Sequence, residues 1–310
     1  MARPKSTASE PLPEPLAAPL ARFLNAMECD KGLATNTLDA YRRDLGRYLH
    51  RLAQQGIERV ETIEQQHVAL LLHSLREAGL SPSTMARNLT SIKRFHQYLL
   101  LQGATESNPT ENLDPPKLER KLPDVLTIEE ITALLATPDA AEPLGQRDRA
   151  ILEVLYATGL RVSELTALQR AALLLEHGLV RVLGHSQRER LVPIGPQAIR
   201  TLTRYLQQGR PQLARPDSGD HVFLNNQGGP LSRMSIWKII KSAGDKTRTD
   251  KEVSPHTLRH TFATHLLEGG ANLRDVQELL GHADISTTQI YTQLDRSYLK
   301  EVHKTYHPRG

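Results

Sequence analysis

The side chains best suited to chemistry lie between Ser254 and Thr292. His256 and Arg259 stand three residues apart, within one turn of an expected helix, so they share a face. Gly269-Gly270 can end that helix and Asn272 can cap the next, which Gly281 can end in turn. His282 then sits at a helix terminus, and Ser286 can cap a short helix carrying Tyr291. Far upstream, Arg161 follows Gly159 between two expected helices. An arginine fork donates paired hydrogen bonds to oxyanions and stays charged at every relevant pH. An imidazole exchanges protons near neutrality, and a phenolic hydroxyl can act as a nucleophile. Taken singly, each residue also has an ordinary structural reading: His256 as a cap, His282 as a surface polar group, Tyr291 as an interface aromatic.

The spacing says more than the members. His256-x-x-Arg259-His260, then Gly281-His282 twenty-six residues after the first histidine, then Tyr291 nine residues later, resembles the C-terminal signature of tyrosine recombinases. Ala157-Thr-Gly-Leu-Arg-Val-Ser-Glu-Leu165 resembles that family's first arginine box. TNTLDAYRRDL, RDRAILEVLYATGLRVSEL, RERLVP, ISTTQIYT and the terminal HPR extend the likeness over essentially Leu16 to Arg309, nearest to the Xer chromosome-dimer resolvases.

The resemblance implies an enzyme that cuts and rejoins duplex DNA through a 3′-phosphotyrosyl intermediate. In that scheme Tyr291 attacks phosphorus, and Arg161 and Arg259 stabilise the charge added to the non-bridging oxygens. His256 assists proton removal or contacts an oxygen, His282 donates to a non-bridging oxygen, and Glu164 supports the site. By spacing alone Glu164 reads also as an ordinary exposed helix carboxylate. The covalent link conserves bond energy, so no ATP is needed, and no carboxylate cluster has metal-ligand spacing; neither cofactor nor metal is expected. The implied partners are double-stranded DNA with a dif-like site, a XerC-like recombinase in a heterotetramer, and an FtsK-type DNA translocase. The chain end, Lys300–Gly310, would dock into a neighbouring subunit. The rival readings are a phage or mobile-element integrase and a non-catalytic DNA-binding protein. The core-binding domain is expected to begin almost at once, which leaves no room for an extra arm-binding domain.

One position departs from the family pattern. The hairpin loop of tyrosine recombinases carries a lysine that protonates the departing 5′-oxygen, in a Gly-Lys-Gly-x-Lys-Glu-Arg pattern. Here the segment reads Gly184-His185-Ser186-Gln187-Arg188-Glu189-Arg190, and no lysine occurs between Lys121 and Lys238. Arg188 and Arg190 hold their protons too tightly to serve as acids. Histidine, with an unperturbed pKa near ~6.5, is a plausible acid, favoured in its charged form by a nearby phosphate. Either His185 is the general acid, or the chain is a catalytically impaired recombinase that still binds DNA.

These residues need a scaffold, and the chain reads as mainly α. The first thirteen residues, rich in Pro, Ser and charge, are expected to form a disordered tail (1–13). Residues 14–106 read as an α-helical core-binding (SAM-like) domain: apolar Leu16, Leu20, Phe23 and Leu24 begin one helix. Tyr41, Leu45 and Tyr48 lie on a second, capped by Thr35 or Asn36. Ser81-Pro82-Ser83 opens another through Met85, Leu89, Ile92, Phe95 and Leu99. Four prolines between Asn108 and Pro123 suggest a linker over 107–123. The catalytic domain, 124–310, opens with a capping box at Thr127 and Glu130. It is α-rich, with a small antiparallel sheet from Leu179–Leu183, Arg190–Ile194 and a third strand at His221–Leu224. The resemblance implies a C-shaped clamp of the two domains around DNA. Arg43, Arg87, Lys93, Arg94, Arg188 and Arg190 are candidate DNA contacts, although basic residues opposite an apolar stripe also read as a solvated helix face.

Composition bounds the rest. The chain has 310 residues, with 39 Lys+Arg against 35 Asp+Glu; the formal excess of four positive charges permits a polyanionic partner without requiring one. Hydrophobic residues at 39% suffice for a core and exclude wholesale disorder. Aromatics at 4% argue against a base-stacking platform for single strands. One cysteine, Cys29, excludes an intramolecular disulfide framework. No apolar stretch has the length of a membrane span, and the N-terminus lacks the apolar core of a signal peptide, so a soluble cytoplasmic protein with no membrane partner is expected.

Overall fold

Apolar residues at helical spacing generate the N-terminal part of the chain. In the computed structural model, which describes residues 11–29, 33, 35–116, 124–184, 189–247, 249–281 and 293–310, they form α1 (Glu14–Cys29), α2 (Thr35–Gln54), α3 (Gln65–Glu77) and α4 (Pro82–Leu101). Ser81 accepts the Thr84 N–H at 3.3 Å and Pro82 supplies the first helical turn, so α4 starts where the sequence places it. Leu16, Phe23, Leu45, Tyr48, Val68, Ile92 and Phe95 are fully buried, with Phe23 meeting Tyr41, Phe95 and Tyr98 ring to ring. Polar bonds also tie α2 to α4 inside this core. Tyr48 Oη meets His96 Nε2 at 2.9 Å, and the buried Asp44 carboxylate accepts from Arg87 and from Ser91. The expected tail, 1–13, falls on described residues only from 11 onward, and 117–123 of the expected linker lie outside them.

The chain divides into two units, Met1–Lys121 and Leu122–Gly310. The second opens with α5 (Ile128–Ala136), closed at its start by the Thr127–Glu130 capping box at 3.2 and 2.8 Å. It continues with α6 (Pro143–Thr158), α7 (Val162–Thr166), strands β1 (Leu173–Leu174), β2 (Leu179–Leu183) and β3 (Glu189–Pro193), and α8 (Pro196–Arg204). A π turn at Tyr205–Gly209 leads into α9 (Arg210–Leu213). Then come α10 (Arg233–Lys246), α11 (Pro255–Gly269), α12 (Leu273–Leu280) and α13 (Gln293–Tyr306). From Ala150 to Thr158 every residue of α6 is buried, so α6 is the central rod on which the others pack. Among the described residues no helix is long and apolar enough to cross a membrane.

The sheet is antiparallel, in the order β1-β2-β3, and pairs Val180 with Val192 and Val182 with Arg190. Its third strand is Leu173–Leu174, not His221–Leu224. The latter makes only isolated bridges, Gln169 to His221 and Leu224 to Pro230. Side chains satisfy much of its backbone in place of a neighbouring strand: Arg210 donates to the His221 carbonyl at 2.8 Å, Arg147 to the Leu224 carbonyl at 3.0 Å, and the Leu224 N–H donates to Tyr205 Oη at 3.2 Å, while the Val222 N–H donates to the Leu168 carbonyl at 2.9 Å.

The chain end packs on its own unit. Val302 joins Phe262, Leu266, Val276 and Leu279 in a buried cluster. His303 Nε2 lies 2.7 Å from the Ala157 carbonyl, and the His307 ring lies 4.8 Å from that of Tyr156. Gly195 faces the Arg309 carbonyl so closely that a Cβ there would fall 1.8 Å from it.

Candidate active site

Gly159 ends α6 in the left-handed conformation, φ +59°, and turns the chain so that Arg161 becomes the residue preceding α7. A Cβ at Gly159 would lie 2.4 Å from Phe262 Cδ1, so the turn also needs glycine for space. Glu164, in the first turn of α7, accepts the Arg161 backbone N–H at 2.9 Å and Arg161 Nη1 at 3.2 Å. Arg190, on β3, donates both terminal nitrogens to the same carboxylate at 2.8 and 2.9 Å. The alternative of an ordinary exposed carboxylate therefore does not hold for Glu164, whose side chain is 4% exposed.

Arg259 arrives from α11. Ser254 caps that helix by accepting the Thr257 N–H at 3.2 Å, and Arg259 lies one turn after His256. Its Nη1 donates to the Gly159 carbonyl and its Nη2 to the Leu280 carbonyl at 2.7 Å. Arg161 Nη1 reaches the same Leu280 carbonyl at 3.4 Å, and its Nη2 the Gly281 carbonyl at 3.4 Å. Two arginines 98 positions apart thus meet at the last turn of α12. The C-terminal carbonyls there are the negative pole of the helix and attract both cations. Gly281, at φ +63°, closes α12 directly before His282.

Among the described residues, Arg161 and Arg190 share the one Glu164 carboxylate and Arg259 lies beside them on backbone carbonyls, so three guanidinium groups gather around a single carboxylate. Burial lowers the pKa of Arg259 to about 10, the neighbouring Arg161 and Arg190 push the same way, and Glu164 opposes them. Arg259 remains protonated at neutral pH even so. Burial alone would raise the pKa of Glu164, but the bonds from Arg190 and Arg161 outweigh it and hold the carboxyl below its ordinary value. Arg161 is 39% exposed and Arg190 only 17%, so of these two Arg161 is the one a ligand reaches more readily. His256 is exposed on the first turn of α11, with no hydrogen bond to the described residues. A site of this kind accommodates a doubly oxygenated anion such as a phosphodiester.

Of the residues singled out in the sequence, Arg161, Glu164, Arg190 and Arg259 come together. His185, Arg188, His282 and Tyr291 lie outside the described residues. In the N-terminal unit, Arg87 and Arg94 stand two turns apart on α4 and are both fastened to α2, Arg87 by Asp44 and Arg94 by Tyr41 Oη at 2.7 Å. Arg43 is exposed on α2, with Nε on the Asp39 carbonyl at 3.1 Å, and Lys93 is half-buried. His265, two turns after Leu258 on α11, is buried and meets Tyr156 Oη through Nδ1 at 2.9 Å.

The sequence reading missed one surface. Helix α10 exposes Arg233, Trp237, Lys238 and Lys241, with Lys241 Nζ 5.0 Å from the centre of the Trp237 ring. The recurrence of basic and aromatic residues every three or four positions was the available signal.

Residues 124–297 match the family model described as Phage integrase family, and residues 20–103 that described as Phage integrase, N-terminal SAM-like domain. The chain is 48% identical over 300 residues to Tyrosine recombinase XerD of Chlorobaculum tepidum, covering 96% of this chain and 98% of that one. It is 46% identical over 291 residues to Tyrosine recombinase XerD of Staphylococcus aureus, covering 94% and 99%. Similar folds include the Tn1549 transposon integrase in complex with circular intermediate DNA (TM-score 0.67, 20% identity, covering 91% and 98%). Another is a lambda integrase dimer bound to a COC′ core site (TM-score 0.67, 16% identity, 90% and 99%).

Proposed function

We propose that this chain, which belongs to the phage integrase family and is a tyrosine recombinase, resolves chromosome dimers at a dif-like site with a XerC-like partner. The observation that carries the reading is the meeting of Arg161 and Arg259 at the Leu280 carbonyl, where the described residues gather three guanidinium groups around the one Glu164 carboxylate. In this account both guanidinium groups hold the non-bridging oxygens of the scissile phosphate. Tyr291 Oη attacks phosphorus, and the bond to the 5′-oxygen breaks as that oxygen takes a proton from His185. His256 assists removal of the tyrosine proton, and His282 donates to a non-bridging oxygen. Attack by the 5′-hydroxyl of the partner duplex reverses the sequence and rejoins the strands without ATP.

Arg43, Arg87, Lys93 and Arg94 contact the DNA backbone from the N-terminal unit, and the basic face of α10 does so from the catalytic unit. Arg188 adds a further contact from the hairpin loop. The reaction takes place on chromosomal DNA in the cytoplasm, in a heterotetramer on two sites directed by an FtsK-type translocase.

The test is a plasmid with two directly repeated candidate sites, incubated with the chain alone and with a XerC-like partner. Resolution into two circles, dependent on both proteins and lost in Tyr291→Phe, is expected. Integration into a non-homologous attachment site by the chain alone would favour the mobile-element reading. Binding without any strand exchange would favour the non-catalytic one.

A further inference from the structure

Arg190 is more deeply enclosed than a DNA contact requires. It sits on β3, opposite Val182 on β2, and both of its terminal nitrogens are engaged by Glu164 at 2.8 and 2.9 Å. Its remaining nitrogen, Nε, is buried and has no hydrogen-bond partner among the described residues. The reason is geometric: the guanidinium lies flat on Gly281, where a Cβ would come within 3.0 Å of both Cζ and Nε. Arg190 therefore touches the two elements that Arg161 also touches, the Glu164 carboxylate and the end of α12.

The Glu164 carboxylate has a limited set of lone pairs, and their allocation decides where Arg161 can point. Arg190 takes the two oxygens side by side in a planar fork, the geometry arginine favours for carboxylates. Arg161 is left one long contact, Nη1 to Oε1 at 3.2 Å, together with its backbone bond. Without Arg190, Glu164 would be a buried carboxylate with Arg161 as its remaining cation, and the bidentate seat would fall to Arg161.

We propose that Arg190 is a positioning residue of the strand-cleavage reaction: by occupying Glu164 bidentately and covering Gly281, it leaves the Arg161 guanidinium free to turn toward the scissile phosphate. The role rests on the recombinase reading above and deepens it. Arg190 itself touches no phosphate. Its effect appears in the rate of phosphoryl transfer and not in DNA affinity.

The test measures two quantities on a nicked suicide duplex bearing the cleavage site: the single-turnover rate of covalent adduct formation at saturating protein, and the dissociation constant. Lysine in Arg190→Lys keeps the charge but cannot form the fork. It is expected to lower the adduct rate by about tenfold or more, a loss of ~1.4 kcal/mol in transition-state stabilisation, with DNA affinity within about twofold of the parent. Arg190→Gln is expected to be slower still. A 5′-bridging phosphorothiolate, whose sulfur leaves without acid help, should not restore either variant, because the loss lies in phosphate binding and not in proton donation. Glu164→Gln combined with Arg190→Gln should cost little more than either change alone, since both break one unit. A parent-like adduct rate in Arg190→Lys, with the protein folded by its melting curve, would overturn the proposal. So would affinity falling while the saturated rate holds, which marks a DNA contact, or full rescue by sulfur, which places Arg190 behind the acid. If the parent chain forms no adduct on any site, the recombinase reading fails and this one with it.

Discussion

Glu164 shows how a side chain's neighbours decide its work. Its own position, three residues after Arg161, fits an exposed helix carboxylate as well as a buried anchor. Only the strand that delivers Arg190 selects between them. The pairing crosses 26 residues and two kinds of secondary structure, so no helical or strand periodicity announces it. Arg161 and Arg259, by contrast, were legible because each sits inside a motif with fixed spacing. His185 supplies the residue-scale prediction. If it gives its proton to the leaving oxygen, the cleavage rate should fall as pH rises through the pKa of its imidazole, because the acid must be protonated to act. His185→Ala should lose at least about a hundredfold in rate, within the range typical of general acids, and the 5′-bridging phosphorothiolate should restore most of it. A rate insensitive to His185→Ala, or a parent chain active only on the sulfur substrate, would remove histidine from this role.

At the scale of elements, the turn between α6 and α7 holds both arginines in place. Gly159 gives the left-handed turn, its carbonyl accepts from Arg259, and Phe262 fills the space where a Cβ would stand. Gly159→Ala therefore combines a left-handed alanine with an overpacked ring contact, together about 2–4 kcal/mol. The melting temperature should drop by several degrees, and cleavage should slow beyond what the lost stability accounts for, since Arg259 moves with the carbonyl. An unchanged melting curve would contradict the tight fit. This turn was visible in advance from the glycine following an apolar run. The third strand was not. His221–Leu224 looks like a strand by composition, but Arg210 bonds the His221 carbonyl and Arg147 and Tyr205 bond the Leu224 backbone, while the two-residue strand Leu173–Leu174 is too short for any alternation to show. The basic face of α10 was not legible, since basic residues opposite an apolar stripe are what any solvated helix face carries.

At the scale of the whole molecule, the chain end is part of the catalytic unit's own core. Val302, His303 and His307 are buried against α6 and α11, and burial lowers the pKa of both histidines. His303 and His265 add to the lowering at His307. A docked histidine with a depressed pKa binds fewer protons than the released one. Docking is therefore fully stable above about pH 6.5, the ordinary histidine value, and weakens as pH falls below it. Hydrogen exchange in the segment following Lys300 should accelerate between pH 7 and pH 5 relative to that in α6, after correction for intrinsic rates. Equal protection at both pH values would contradict the burial of neutral imidazoles. Docking of this end on its own unit was not legible, since its apolar residues alone do not say which copy of the chain they meet.

The central claim is that Tyr291 joins DNA through a 3′-phosphate held by Arg161 and Arg259, and it is tested most directly by mapping the adduct. The chain is trapped on a nicked suicide duplex with the candidate site and digested with protease and nuclease, and the nucleotide-bearing peptide is sequenced by mass spectrometry. The account predicts a nucleotide linked by its 3′-phosphate to Tyr291, absent in Tyr291→Phe and sharply reduced in Arg161→Ala and Arg259→Ala. A link to another residue, a 5′-phosphate link, or an adduct that survives Tyr291→Phe would contradict it.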